Sequence, residues 1–272
     1  MLCEKPLAVT VRACEEMIET ANRHGVLLMT GYRLHFDAAT LKAIEVVRSG
    51  KIGEPRFFAS TFSMQVTDPD NVRLLSVKRG GGPLLDLGVY CVNAARGLFE
   101  SEPIEVLGMD ATAGDERFSR SPEMTFAVLR FPGERVATFG CSFGAAETSA
   151  YHVVGTKGDL RVEPAFEYAE PLEHRLTVNG RVSRRRFAKR DQFAPELIAF
   201  SNAVLGREAP STLGIEGLLD VRVIEAIQQS SEKGKVVSLT PFQKDRYAEP
   251  EQEIRRPPVR KPEPVLAESP HN

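Results

Sequence analysis

The fold is decided by residues 1–37, which read MLCEKPLAVTVRACEEMIETANRHGVLLMTGYRLHFD. A short strand is predicted to lead into Glu4-Lys5-Pro6. A helix is predicted from about Thr10, because apolar residues then recur at helical spacing, and Gly25 is predicted to end it. Residues 26–29 form a continuous apolar run, as strands covered on both faces do. A strand, a helix and a second strand in this order predict the end of a doubly wound parallel sheet.

Beyond this segment the pattern changes to alternating strands from Phe57 onward. Pro132-Gly133 and Asn179-Gly180 each separate two alternating runs, which predicts two β-hairpins, the second with positive φ at both turn residues. Two late amphipathic segments, 192–205 and 215–231, predict helices that cover the strands. We therefore predict a mixed α/β (α+β) fold: the C-terminal part of a doubly wound parallel sheet, then an open, mostly antiparallel sheet with helices on one side.

These patterns divide the chain into three predicted parts. Residues 1–34 hold the end of the parallel sheet, and residues 35–244 form an α+β domain with the open sheet. Residues 245–272 are predicted to be extended or disordered, because six of the 18 prolines fall there and few residues are hydrophobic.

The composition excludes several classes of function. With 35 basic against 37 acidic residues the net charge is −2, so neither nucleic acid nor an anionic membrane is a predicted partner. The four cysteines are far apart and form no C-x-x-C pair, so we predict neither a disulfide framework nor a metal site. No apolar stretch reaches the roughly 18 residues of a membrane-spanning helix. The cytoplasm is the default expectation, because the N-terminus shows no basic region followed by an apolar run and a small-residue cleavage site.

The densest motif is GGGPLLDLGVYCVN at residues 80–93. Its three glycines permit a close backbone approach, and Pro83 suits the first position of a helix. Asp86, Tyr90 and Asn93 then follow at i, i+4 and i+7, which places them on one face. That polar line is either an ordinary solvent face or the wall of a binding site.

Two other segments follow predicted strands. Glu4-Lys5-Pro6 and residues 32–36 occupy the carboxyl ends of neighbouring strands, where open α/β sheets bind their ligands. Oxidation of an alcohol requires the hydroxyl to lose a proton while its carbon loses hydride. A tyrosine can take that proton, and a lysine ammonium beside it favours the phenolate. Lys5 and Tyr90 together are therefore sufficient for carbonyl/alcohol chemistry.

Four ordered strings carry a family resemblance: LCEKPLAVT (2–10), LLMTGYRLHFD (27–37), GGGPLLDLGVYCVN (80–93) and VVGTKGDLRVEP (153–164). Together they resemble the Gfo/Idh/MocA family of NAD(P)-dependent oxidoreductases, from Leu2 to about Leu239. YRLHFD and the tyrosine of GVYCVN look like the branch that contains glucose-fructose oxidoreductase.

The resemblance implies roles for individual residues. Lys5 and Tyr90 would be catalytic, with Tyr90 as proton donor or acceptor, where many members carry histidine. Asp86 and Asn93 would bind the sugar. The Lys5–Pro6 peptide bond is expected to be cis. The residues implied to lie at the cofactor are Glu4, Lys5, Pro6, Arg33, Arg73 and Tyr90.

The implied reaction is hydride transfer between NADP(H), or NAD(H), and a sugar or polyol. The resemblance also implies that residues 1–34 are the C-terminal remnant of a dinucleotide-binding Rossmann domain. Residues 35–244 would be the α+β domain for substrate binding and oligomerisation, with assembly as a homodimer or homotetramer through the open sheet. The family opens with a G-x-G-x-x-G turn that holds the pyrophosphate, and none occurs in these 272 residues. We therefore expect a chain that lacks the leading βαβ units. The alternative is a non-catalytic truncated product, or an open-sheet domain that binds a sugar or associates with itself.

Overall fold

The computed structural model describes residues 1–206, 211–258 and 260, and a small parallel sheet forms their N-terminal part. Strand β1 (Leu2–Glu4) pairs with β2 (Met29–Gly31), and helix α1 (Val11–Arg23) connects them. The strand predicted at 26–29 was wrong in its bounds. The amide of Val26 closes the end of α1 on the carbonyl of Ala21, at 2.9 Å, so the strand begins only at Met29.

The larger sheet has nine strands in the order β10-β9-β8-β7-β3-β6-β5-β4-β11. Every neighbouring pair is antiparallel except β3 with β6. Its strands are β3 (Pro55–Ser63), β4 (Glu105–Ala111), β5 (Met124–Phe131), β6 (Arg135–Ser142), β7 (Thr148–Gly155), β8 (Gly158–Val162), β9 (Leu172–Val178), β10 (Arg181–Phe187) and β11 (Val237–Ser238). The predicted mostly antiparallel sheet is confirmed.

Both predicted hairpins are present. Strands β5 and β6 are joined at Pro132-Gly133, and β9 and β10 at Asn179-Gly180. Asn179 has φ 49° and Gly180 has φ 76°, so both turn residues adopt the left-handed conformation that this turn requires.

Three helices cover one face of the large sheet: α2 (Ala38–Arg48), α3 (Val89–Phe99) and α5 (Gly214–Lys233). Helix α4 (Phe193–Val204) packs beside the small sheet, where its Ala199 is buried with Met29 and Phe36. Helix α5 lies so close to β4 that a Cβ on Gly108 would be 2.5 Å from the carbonyl oxygen of Ile227. On the opposite face, large apolar side chains remain exposed: Met109 at 62% and Phe126 at 48%. The large sheet is therefore open on one side, as predicted.

After β11 the chain runs back across the helices with a single 3₁₀ turn, Pro250–Gln252. Ala248 is buried, and its carbonyl accepts a hydrogen bond from the Arg48 guanidinium at 3.0 Å. The Gln252 amide donates to Ser211 Oγ at 3.0 Å. Part of the predicted Pro-rich tail, 259 and 261–272, lies outside the described residues. Within the described part of the chain, no helix is both long and apolar enough to cross a membrane.

Candidate active site

Close backbone contacts of the glycine-rich motif hold the loop that carries Arg73 against the start of α3. A Cβ on Gly81 would lie 1.8 Å from the carbonyl oxygen of Leu75, and the Gly82 amide donates to the carbonyl of Arg73 at 2.8 Å. Residue 81 therefore has no room for a side chain, and the hydrogen bond from Gly82 holds the loop that carries Arg73 in place.

The segment after Pro83 differs from the expected helix start. Residues Leu84–Gly88 form a π-helical turn, with hydrogen bonds from i to i+5, and α3 begins only at Val89. Because a π turn is wider than an α turn, it changes the angular spacing between Asp86 and Asn93. Asp86 and Tyr90 line one cavity, whereas Tyr90 and Asn93 line a second. The predicted polar line thus extends over two cavities, with Tyr90 in the wall of both.

Lys5, Asp86 and Arg73 form an ion-paired cluster. Lys5 Nζ donates to Asp86 Oδ1 and to the backbone oxygen of Asp86, each at 2.7 Å. Arg73 Nε donates to Asp86 Oδ2, also at 2.7 Å. Burial raises the pKa of the Asp86 carboxyl, but Lys5 and Arg73 outweigh it and bring that pKa down to about 2. Asp86 is therefore ionised at neutral pH with both oxygens held.

The Tyr90 ring lies between two cations. Lys5 Nζ is 4.7 Å from the ring centroid, and the Arg33 guanidinium carbon is 5.0 Å from it. Burial lowers the pKa of the Lys5 ammonium, but Tyr90 and Asp86 together outweigh burial, so the pKa is raised. Lys5 is therefore an ammonium in contact with the face of the tyrosine ring.

Arg33 is buried behind Tyr90. One terminal nitrogen donates to the Phe166 carbonyl at 2.5 Å and the other to the Gln192 side-chain oxygen. Sequence reasoning missed both partners, because they come from loops more than 130 residues away. Its implied cofactor contact stays a prediction, since these contacts hold it as part of the wall.

These side chains line a cavity of about 460 Å³. Glu4 and Lys5 enter it from the carboxyl end of β1, and the Lys5–Pro6 bond is cis, as the resemblance implies. Phe62, Phe166, Tyr168 and Phe193 supply an aromatic wall. The cavity thus combines a charged end with an apolar end. Across the described residues there is no cluster of three or more metal-ligating side chains.

Asn93 belongs to a buried polar network outside this cavity. Its Nδ2 donates to Glu216 Oε1 at 2.8 Å and to Asp220 Oδ2 at 2.9 Å, and its Oδ1 lies 2.9 Å from His35 Nε2. Arg96 pairs with the same two carboxylates. Direct sugar binding by Asn93 stays a prediction, because its side chain is committed to these partners.

The network itself was not predicted from the sequence. Burial raises the pKa of Asp220 to about 6, with Arg96 opposing that rise and Glu216 adding to it. The available signal was Glu216 and Asp220 at i and i+4 on a helix that is otherwise buried.

Comparisons with known proteins agree with this architecture. The family model described as an oxidoreductase family with an NAD-binding Rossmann fold matches residues 1–32, and the GFO/IDH/MocA C-terminal domain matches residues 40–161. D-xylose 1-dehydrogenase [NADP(+)] of Haloarcula marismortui is 32% identical over 243 residues, which cover 88% of this chain and 68% of that protein.

Two crystal structures are similar as well. The aldose-aldose oxidoreductase of Caulobacter crescentus, complexed with glycerol, has 35% identity and a TM-score of 0.83, covering 88% of this chain and 71% of that one. A 3-ketoreductase of Actinomadura kijaniata, in complex with NADP and TDP-benzene, has 25% identity and a TM-score of 0.75. The match covers 84% of this chain and 70% of that one. The chain belongs to the Gfo/Idh/MocA family of oxidoreductases.

Proposed function

We propose that the cavity around Lys5, Asp86 and Tyr90 serves reversible hydride transfer between NADP(H) and a carbonyl or alcohol carbon of a sugar or polyol. The observation that carries the proposal is the contact among these three side chains in one cavity. The printed names of two relatives, an NADP(+)-dependent xylose dehydrogenase and an aldose-aldose oxidoreductase, support the same chemistry.

Each residue has a proposed task. When bound, the nicotinamide accepts or supplies hydride. The Tyr90 phenolate oxygen takes the proton from the sugar hydroxyl in oxidation, and the Tyr90 hydroxyl so formed returns that proton in reduction. The Lys5 ammonium stabilises negative charge on the tyrosine oxygen or on the sugar oxygen. Asp86 keeps free lone pairs beside its two ion pairs, so it can accept a hydrogen bond from a second sugar hydroxyl.

The donor set also fits the nicotinamide end of a dinucleotide. Doubly wound sheets bind nucleotides at the carboxyl ends of their strands, and Glu4, Lys5 and Pro6 lie at that end of β1. We propose that they contact the cofactor together with Tyr90 and the cationic side chains of Arg33 and Arg73. Glu4 offers a hydrogen-bond acceptor there, whereas the lysine and the arginines offer donors.

A fluorescence titration with NADPH tests cofactor binding. The chain has no tryptophan, so background emission is low. The expected result is a saturable enhancement of NADPH fluorescence that Lys5→Met weakens and that the exposed Lys51→Met leaves unchanged. Absence of saturable binding contradicts the proposal and favours an open-sheet domain that binds a sugar without cofactor.

We also infer that a second copy of this chain covers the open sheet face. The face exposes the large apolar side chains Leu107, Met109, Phe126 and Val128 around a floor of small residues. Phe126→Glu is expected to convert the oligomer to a monomer in light scattering. Val72→Glu, at an exposed apolar site outside the sheet, is expected to change nothing. A monomeric wild-type protein at micromolar concentration contradicts the inference.

A further inference from the structure

Helix α4 carries a buried carboxylate that the proposed mechanism does not use. Glu196 is 4% exposed, and its Oε2 has no hydrogen-bond partner among the residues the structure describes. Burial, and next the charge of Glu4, raise its pKa to about 7. A buried acceptor without a partner destabilises the fold, and an isosteric apolar side chain would remove that cost. The position therefore needs an explanation other than stability.

The surroundings place this carboxylate at the cofactor end of the small sheet. Phe193, three residues earlier on α4, lines the 460 Å³ cavity. If residue 31 carried a Cβ, that atom would be 3.5 Å from Glu196 Oε2 and 3.6 Å from the Cα of Glu4. Glu196 thus faces the carboxyl ends of both parallel strands, over the space that Gly31 leaves free.

Among the residues that the structure describes, no cation donates a hydrogen bond to Glu196 Oε2. Arg33 is the cation that acts on it electrostatically, but the hydrogen bonds of its guanidinium go to Gln192 and to the Phe166 carbonyl. The other charged groups that act on Glu196 are Glu4 and Asp191, both acidic. The Glu4 and Glu196 carboxylates repel each other, and Glu196 keeps one oxygen without a partner, so this place suits a neutral hydroxyl donor and not a phosphate.

We propose that Glu196 accepts a hydrogen bond from a ribose hydroxyl of the nicotinamide half of the cofactor, beside Glu4. The inference rests on the proposed function, because it assigns part of the same cofactor site. Glu196 is a binding residue in this account and takes no part in the proton transfer assigned to Tyr90.

The test compares three ligands that carry different parts of the cofactor. NADPH and reduced nicotinamide mononucleotide contain this ribose, whereas adenosine 2′,5′-bisphosphate does not. Glu196→Gln keeps the shape of the side chain and removes its charge. It is expected to lower the affinity for NADPH and for reduced nicotinamide mononucleotide about tenfold, and to leave the affinity for adenosine 2′,5′-bisphosphate unchanged. Glu232→Gln, an exposed site on α5, is the matched control and is expected to bind all three as the wild type does.

Gly31→Ala provides a second, independent perturbation. Its Cβ would meet Glu196 Oε2 and the β1 backbone at 3.4–3.6 Å, ordinary contact distances, so the variant is expected to fold and to lose affinity for the same two ligands. Thermal unfolding verifies that both variants are folded. Unchanged affinity for the mononucleotide in Glu196→Gln, or equal losses for all three ligands, overturns this inference while leaving the proposed function standing. A wild-type chain that binds neither NADPH nor the mononucleotide overturns both.

Discussion

Asp86→Asn is expected to lower the free energy of unfolding at pH 7 by about 1–2 kcal/mol. In the folded protein, Lys5 and Arg73 depress the Asp86 pKa from 3.8 to about 2. Each pKa unit corresponds to about 1.4 kcal/mol, which gives roughly 2.5 kcal/mol before correction. The side chain is 27% exposed, so solvent screening reduces that figure to the expected range.

The stabilisation by the Asp86 carboxylate depends on pH. Because the folded-state pKa lies below the unfolded one, the carboxylate stabilises the fold fully above pH 4. That contribution decreases as the pH falls through 3 toward 2. In urea unfolding, the difference in free energy of unfolding between wild type and Asp86→Asn should therefore be largest at pH 7 and fall to about half by pH 3.

Asp70→Asn is the matched control, since Asp70 is an exposed residue of the same loop region. It is expected to unfold as the wild type does at both pH values. An Asp86→Asn variant as stable as Asp70→Asn at pH 7, or a gap of the same size at pH 3, refutes the assignment of Asp86 as the ionised centre of the cluster.

Two further predictions concern stability. Arg96→Met leaves three buried carboxylates without their common cation and should cost about 3–5 kcal/mol in urea unfolding, whereas Arg56→Met removes an exposed pair and should cost under about 1 kcal/mol. Equal costs would contradict the central place of Arg96. Gly81→Ala forces the loop that carries Arg73 away from Leu75 and should lower the melting temperature by several degrees, as expected for about 2 kcal/mol or more. In Gly97→Ala the added Cβ meets its nearest neighbour at 3.9 Å, so the melting temperature should stay the same or rise.

Local signals predicted much of the large domain. The Asn179-Gly180 turn specifies positive φ at two successive residues, and that requirement alone predicts a hairpin in a fixed register. In the N-terminal part, α1 begins where the sequence indicated, and the structure adds that Thr10 caps it by accepting a hydrogen bond from the Ala13 amide at 3.2 Å. In each case the interaction that decides the structure lies within a few residues of the signal.

Other features depend on contacts that no local pattern contains. The π-helical turn at Leu84–Gly88 has the composition of an ordinary helix, so its wider spacing was not predicted. Arg96 was interpreted neither as core nor as site, because its partners on α5 lie 120 and 124 residues away. Apolar spacing on α5 correctly predicted burial, but it could not indicate that Glu216 and Asp220 would be buried with it.

The active-site cluster lies between these cases. Lys5 and Asp86 are 81 residues apart, yet the family resemblance placed both at one site, and the structure joins them at 2.7 Å. Arg73 was implied to lie at the cofactor, and its observed ion pair is with Asp86. An ordered set of motifs can indicate which residues converge, but the partner of each charge follows from three-dimensional packing.

The proton-transfer role of Tyr90 is the central claim, and the rate of sugar-dependent NADPH formation from NADP⁺ tests it most directly. The assay follows absorbance with a panel of aldoses, D-xylose among them, for the wild type, Tyr90→Phe and Tyr247→Phe. Removal of the acid-base group should lower turnover at least about 100-fold in Tyr90→Phe. Tyr247→Phe, which removes a hydroxyl outside the 460 Å³ cavity, should stay within about threefold of wild type. A Tyr90→Phe variant with wild-type turnover, or a wild type that forms no NADPH with any aldose, contradicts the account.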